Sequence, residues 1–149
     1  MVRSLRVAVV GFGTAGQATA IFLGRQGHRI SVFEDVLPGD LGPVGAGVGL
    51  QPVGLAVLAR TSQATFDTVL QHGARIKGIF GTTHPEDSRW PERPVLDLAY
   101  ADFDRRLYGL GVHRGALWEA LRREVESVRD AGGRIELHGG VRVAEVACA

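Results

Sequence analysis

The six residues Gly11-Phe12-Gly13-Thr14-Ala15-Gly16 come directly after an apolar run, Val7, Ala8, Val9 and Val10. A run of small and β-branched residues that ends in glycine reads as a buried strand over Arg6–Val10. The period then changes. Ala15, Ala18, Ile21, Phe22 and Arg25 recur at helical spacing, which predicts a helix over residues 14–26 with Gly27 at its C-terminal end. Residues 28–34 alternate Ile30, Val32 and Glu34 against Arg29, Ser31 and Phe33, which predicts a second strand. Strand, helix and strand within so short a span form a right-handed βαβ unit with parallel strands.

In that setting each glycine has its own task. Gly11 permits the tight turn off the strand, Gly13 lets backbone amides approach a pyrophosphate, and Gly16 lets helix and sheet pack closely. The helix start at Thr14 and Ala15 offers free N–H groups and partial positive charge to phosphate oxygens. Glu34, 18 residues after Gly16, ends the second strand, where a carboxylate can accept hydrogen bonds from ribose hydroxyls. The same charge repels a 2′-phosphate, which disfavours NADP here. Asp35 stands beside it. The unit therefore reads as a dinucleotide site; the alternative is a turn that serves packing only, with Glu34 solvated.

A chain of 149 residues suits one compact domain. Its 45% hydrophobic and 22% charged residues are those of a globular protein, and a formal net charge of +1 gives no electrostatic case for a nucleic-acid or membrane partner. The single cysteine, Cys148, cannot form an intramolecular disulfide, which fits a reducing cytoplasm. No stretch approaches the roughly 20 apolar residues of a membrane span, and no signal peptide is visible. A soluble, cytoplasmic protein is expected.

Further along, residues 37–51 are rich in glycine and read as a loop with close backbone approaches. Residues 52–59 and 65–72 read as short helices separated by a break at Thr61 and Ser62. Residues 75–82 and 95–98 are expected strands joined by a proline-containing polar loop over residues 84–94. Leu117, Leu121, Val125 and Val128 predict a helix over residues 115–130, ended by Gly132 and Gly133. Residues 134–138 and 141–146 are expected to be two more strands. Arg114 precedes the long helix, where a guanidinium can chelate phosphate or ribose oxygens, or else pair with Glu119 or Glu124.

Three blocks resemble the N-terminal part of the FAD-dependent aromatic-ring hydroxylases, the group A flavoprotein monooxygenases similar to p-hydroxybenzoate hydroxylase. The first is residues 7–34, shared with many FAD and NAD proteins. The second is Gly45-Ala46-Gly47-Val48-Gly49-Leu50-Gln51-Pro52, similar to the family's glycine-rich segment before a helix. The third is Val112-His113-Arg114-Gly115-Ala116-Leu117 with Leu121, similar to the stretch in which an arginine at a helix start contacts the cofactor. The sequence departs from the family at Asp35, where many members have arginine, and at Val53, where asparagine is usual.

The resemblance implies an α/β, Rossmann-like FAD/NAD(P)-binding domain with a parallel sheet and a β-rich segment around residues 75–98. It also implies FAD as cofactor, NAD(P)H as electron donor, and oxygenation of a small organic, often aromatic, substrate. The cofactor would be held by Gly11, Gly13, Thr14, Ala15, Gly16, Glu34, Asp35, Gly47, Val48 and Arg114. The family's later Asp-Gly and Gly-Asp segments and its substrate face have no counterpart here. Residues 1–149 are thus expected to be an incomplete N-terminal FAD-binding domain, inactive alone, with an oligomer or a C-terminal partner segment as its complement.

No residue is assigned to catalysis. The five histidines, His28, His72, His84, His113 and His138, lack metal-ligand spacing, so no metal is expected. Asp102, Asp104, Arg105 and Arg106 read as a solvated turn. Two rival readings are an NAD-dependent dehydrogenase domain and a non-catalytic remnant that keeps the fold.

Overall fold

The computed structural model describes residues 3–37, 45–83 and 93–147. Strand β1 (Arg6–Val10), helix α1 (Thr14–Arg25) and strand β2 (Arg29–Glu34) form the expected βαβ unit, with β1 and β2 parallel. β2 also pairs in parallel with the last strand, β8 (Arg134–Gly139), so the sheet order is β1-β2-β8. The register places Val7, Ile30 and Ile135 in one row and Val9, Val32 and Leu137 in the next. These rows share a face, since side chains two apart along a strand point the same way. α1 and the long helix α4 (Arg114–Asp130) cover that face with Ala20, Ile21, Leu121, Val125 and Val128, all buried.

The fit is close. A Cβ at Gly24 would lie 2.9 Å from the end of the Ile135 side chain, so bare position 24 lets α1 approach β8 without displacing that side chain. On the opposite face Phe33 stacks on His138, with ring centroids 4.9 Å apart.

Between β2 and β8 the chain builds a second layer. Strand β3 (Gly47–Leu50), helices α2 (Pro52–Thr61) and α3 (Gln63–Gln71), and strands β4 (Ala74–Ile76), β5 (Gly78–Thr82), β6 (Pro94–Ala99) and β7 (Gly109–His113) follow in order. β3 and β4 flank β7, both antiparallel to it, and β5 pairs with β6 as a two-stranded ribbon. The expected break between α2 and α3 falls at Ser62. Its backbone ends α2, and its hydroxyl caps α3 by accepting from the Thr65 N–H at 3.1 Å.

Four expectations are corrected. Residues 47–50, read as loop, form β3: the entropy cost of its glycines is offset by a ladder to β7, in which Gly49 faces Gly111. Residues 75–82, read as one strand, divide at Lys77 between two sheets, and the Lys77 carbonyl instead accepts from Tyr100 N–H. Residues 141–146, read as a strand, pair with no strand among the described residues; Val141 N–H donates to the Glu34 carbonyl at 2.9 Å. His28 lies before β2 rather than in it, buried, with Nδ1 accepting from Leu5 N–H. The expected loop over residues 84–94 lies largely outside the described residues, as do residues 38–44 and Cys148.

Among the described residues no helix is long and apolar enough to cross a membrane, and no three histidine, cysteine or acidic side chains gather to hold a metal ion.

Candidate functional site

The three glycines of the first turn differ in what surrounds them. Gly11 has φ of 94°, a region that side chains disfavour, so the turn itself demands glycine. A Cβ at Gly16 would stand 2.0 Å from the Gly11 carbonyl oxygen, which is close packing of helix on turn. Gly13 has ordinary extended geometry, and a Cβ there would meet nothing within 4 Å. Packing does not require glycine at 13; the missing side chain leaves the space in front of the helix start open.

That helix start is unblocked. Gly13 is the N-cap of α1, no side chain caps it, and no acidic residue sits in the first turn. The first helical hydrogen bond runs from Gln17 N–H to the Gly13 carbonyl at 3.0 Å, so the N–H groups of Thr14, Ala15 and Gly16 lie ahead of the ladder. Together with the helix dipole they make an anion cradle.

Glu34 closes one side of it. Its Oε2 accepts from Phe12 N–H at 2.6 Å and its Oε1 from Val36 N–H at 3.2 Å. The Phe12 hydrogen bond is the main influence holding its pKa below the ordinary 4.5, against a smaller opposing effect of burial. The group is therefore a carboxylate at neutral pH and an acceptor only. Its remaining lone pairs can take ribose hydroxyls. Asp35 is exposed next to it.

The second and third blocks meet in the β3–β7 ladder, where Gly47 faces His113 and Val48 faces Val112. The backbone runs on into α4, and Arg114 N–H donates to the Ala46 carbonyl at 3.1 Å. Gly45, with φ of 121°, lies so near the Arg114 side chain that a Cβ would come within 3.1 Å of its Cδ. Arg114 is exposed, and neither carboxylate considered for it is its partner. Glu119 pairs with Arg122 and Arg123, while Glu124 pairs with Arg25. Among the described residues Arg114 has no ion pair. His113 serves the helix, its Nδ1 accepting from Gly115 N–H at 3.2 Å.

The first block is joined to the third through Trp118, one turn into α4. Its Nε1 donates to the Phe12 carbonyl at 3.2 Å, and the two rings meet edge to face at 6.2 Å. Gln17, fully buried, donates to the same carbonyl at 2.9 Å. Neither Trp118 nor Gln17 belongs to a sequence motif. A glutamine on the sheet-facing side of a buried helix was the available signal, because buried polar side chains need partners.

The fold is shared with larger solved proteins, two of them oxygenases. A tetrameric form of 2-methyl-3-hydroxypyridine-5-carboxylic acid oxygenase matches 93% of this chain with a TM-score of 0.66 and 22% identity. p-Nitrophenol 4-monooxygenase from Pseudomonas putida matches 99% with a TM-score of 0.71 and 18% identity. CtdE, solved in complex with FAD, matches 91% with a TM-score of 0.58 and 19% identity. The chain spans about a third of the length of each, from 30% to 35%. No family profile matches the sequence, and no curated protein matches it. The chain thus has the α/β fold, with its parallel sheet, of a portion of these larger proteins.

Proposed function

We propose that this chain is the FAD-binding part of a flavin-dependent monooxygenase of the aromatic-ring hydroxylase family, one that uses NAD(P)H and O2 to oxygenate a small organic substrate. One observation carries the reading: the open N-terminus of α1, the Glu34 carboxylate and Arg114, which has no ion pair among the described residues, belong to one connected assembly, tied by Phe12 and Trp118. A packing-only turn needs neither a bare Gly13 nor a cation without a partner. The bound flavin would supply electron transfer and oxygen activation.

The chain's own residues would bind and orient it. Gly13, Thr14, Ala15 and Gly16 present N–H groups to the pyrophosphate, and Glu34 accepts from the adenosine ribose, with Asp35 at the rim. Arg114 would meet anionic oxygens, and the backbone at Gly47 and Val48 would help to steady the rest of the flavin. Residues 1–149 form the cofactor domain, with the substrate face supplied by a longer protein in a soluble, cytoplasmic setting.

Equilibrium binding of FAD, ADP-ribose and FMN tests this reading. Binding of FAD and ADP-ribose with FMN excluded is expected, since the cradle addresses the adenosine diphosphate half. FMN binding as tight as FAD, or tight NADH binding without flavin affinity, would overturn it, the latter in favour of a dehydrogenase domain.

A further inference from the structure

The Phe12 carbonyl receives two side-chain donors, Gln17 Nε2 at 2.9 Å and Trp118 Nε1 at 3.2 Å, from two different helices. Gln17 is fully buried, and its Oε1 has no hydrogen-bond partner among the described residues. A buried amide oxygen without a partner costs stability, so leucine would pack this position better. Glutamine there must be explained by its N–H.

The peptide joining Phe12 to Gly13 is trans, so its C=O and N–H point in opposite directions. The donors draw the oxygen towards the interior, where Gln17 and the Phe12 ring are buried. The Gly13 N–H is thereby turned away from that interior, and it has no acceptor among the described residues.

We infer that Gln17 and Trp118 are positioning residues of the dinucleotide site, fixing the Phe12–Gly13 peptide so that the Gly13 N–H faces the pyrophosphate. Trp118 also ties that peptide to the helix that begins at Arg114, so the two ends of the site share one brace. The identity of the ligand rests on the proposed function above; the peptide orientation does not.

The test uses Gln17→Leu and Trp118→Phe in the full chain. Trp118→Phe keeps an aromatic edge against Phe12 and removes the donor, together with part of the indole's volume. Backbone amide NMR and hydrogen exchange on the ligand-free proteins read the peptide, while FAD titration and thermal melting read affinity and fold. The expected result is a shifted, exchange-broadened Gly13 amide in both variants and FAD affinity weaker by roughly three- to tenfold in each, the factor for one lost hydrogen bond. Thermal stability should hold in Trp118→Phe, and hold or rise in Gln17→Leu, because an unpartnered buried oxygen is removed. A residue with only a packing role would lower stability and leave affinity per folded molecule unchanged.

Unaltered Phe12 and Gly13 amides with wild-type FAD affinity in Gln17→Leu would overturn the inference, whether or not Trp118→Phe folds. A wild-type chain that binds no FAD would refute the proposed ligand, and the ligand-free amide spectra would still decide the brace.

Discussion

The backbone N–H of Phe12 donates to Glu34 Oε2 across 2.6 Å, so the glycine turn and the end of β2 are held as one unit before any ligand arrives. Glu34 then has two tasks, supporting the turn and accepting from ribose. Hydrogen bonds to a charged group contribute about 1.5–3 kcal/mol each. Glu34→Ala should therefore weaken FAD binding by roughly 10- to 100-fold, measured by flavin fluorescence. A variant with wild-type affinity would remove Glu34 from the site.

The pH dependence follows from the same contact. The Glu34 pKa is lowered from 4.5 in the folded chain, so its contribution is present above that value and is lost only as pH falls below it. FAD affinity should stay level from neutral pH down to about pH 5, as far as Glu34 governs it, and decline in more acid solution. A decline beginning near pH 6 to 7 would point to a histidine instead.

Two glycines of the same motif should fail in opposite ways. Gly16→Ala forces a Cβ to within 2.0 Å of the Gly11 carbonyl oxygen. Overpacking of this kind costs about 1–3 kcal/mol or more, visible as a lower urea midpoint. A Cβ at Gly13 meets no neighbour within 4 Å, so Gly13→Val should cost only about 1 kcal/mol, the usual penalty of a poor N-cap. It should nevertheless abolish FAD binding, because its side chain fills the cradle.

Arg114 is exposed and has no ion pair among the described residues, and a cation at a helix start works against the dipole. Arg114→Ala should leave stability within about 0.5 kcal/mol of wild type and lower FAD affinity several-fold. Equal loss of both would mark Arg114 as structural.

α4 carries its own acid sensitivity. Two arginines, Arg122 foremost, hold the Glu119 pKa at about 2 instead of 4.5. The stabilisation is complete above pH 4.5 and is lost as pH falls towards 2. With Glu119 about one-third exposed, screening reduces the contribution to the order of 1 kcal/mol. Glu119→Gln should flatten the decline in melting temperature over that range and leave neutral-pH FAD affinity unchanged.

The βαβ unit was legible because its signals are local: the Val7 to Val10 run, the Gly11, Gly13 and Gly16 spacing, and Glu34 at the strand end. β8 was found as a strand, but its place beside β2 was not, because pairing between residues a hundred positions apart leaves no local mark. β3 and β7 were hidden by their glycines, which lower strand propensity yet allow the two backbones to pair at Gly49 and Gly111. Residues 141–146 show the converse, with a strand pattern and no strand pairing among the described residues. The brace on the Phe12 carbonyl was invisible because Trp118 is 106 residues away in sequence and looks like any aromatic on an amphipathic helix.

The most direct measurement is a titration of the purified chain with FAD, followed by visible absorbance and flavin fluorescence, alongside the Gly13→Val variant. The account predicts saturable binding and a yellow protein for the wild type, and a folded but colourless Gly13→Val. A folded wild-type chain that takes up no FAD, or a Gly13→Val variant that binds it equally well, would contradict the assignment of this turn as the cofactor's pyrophosphate site.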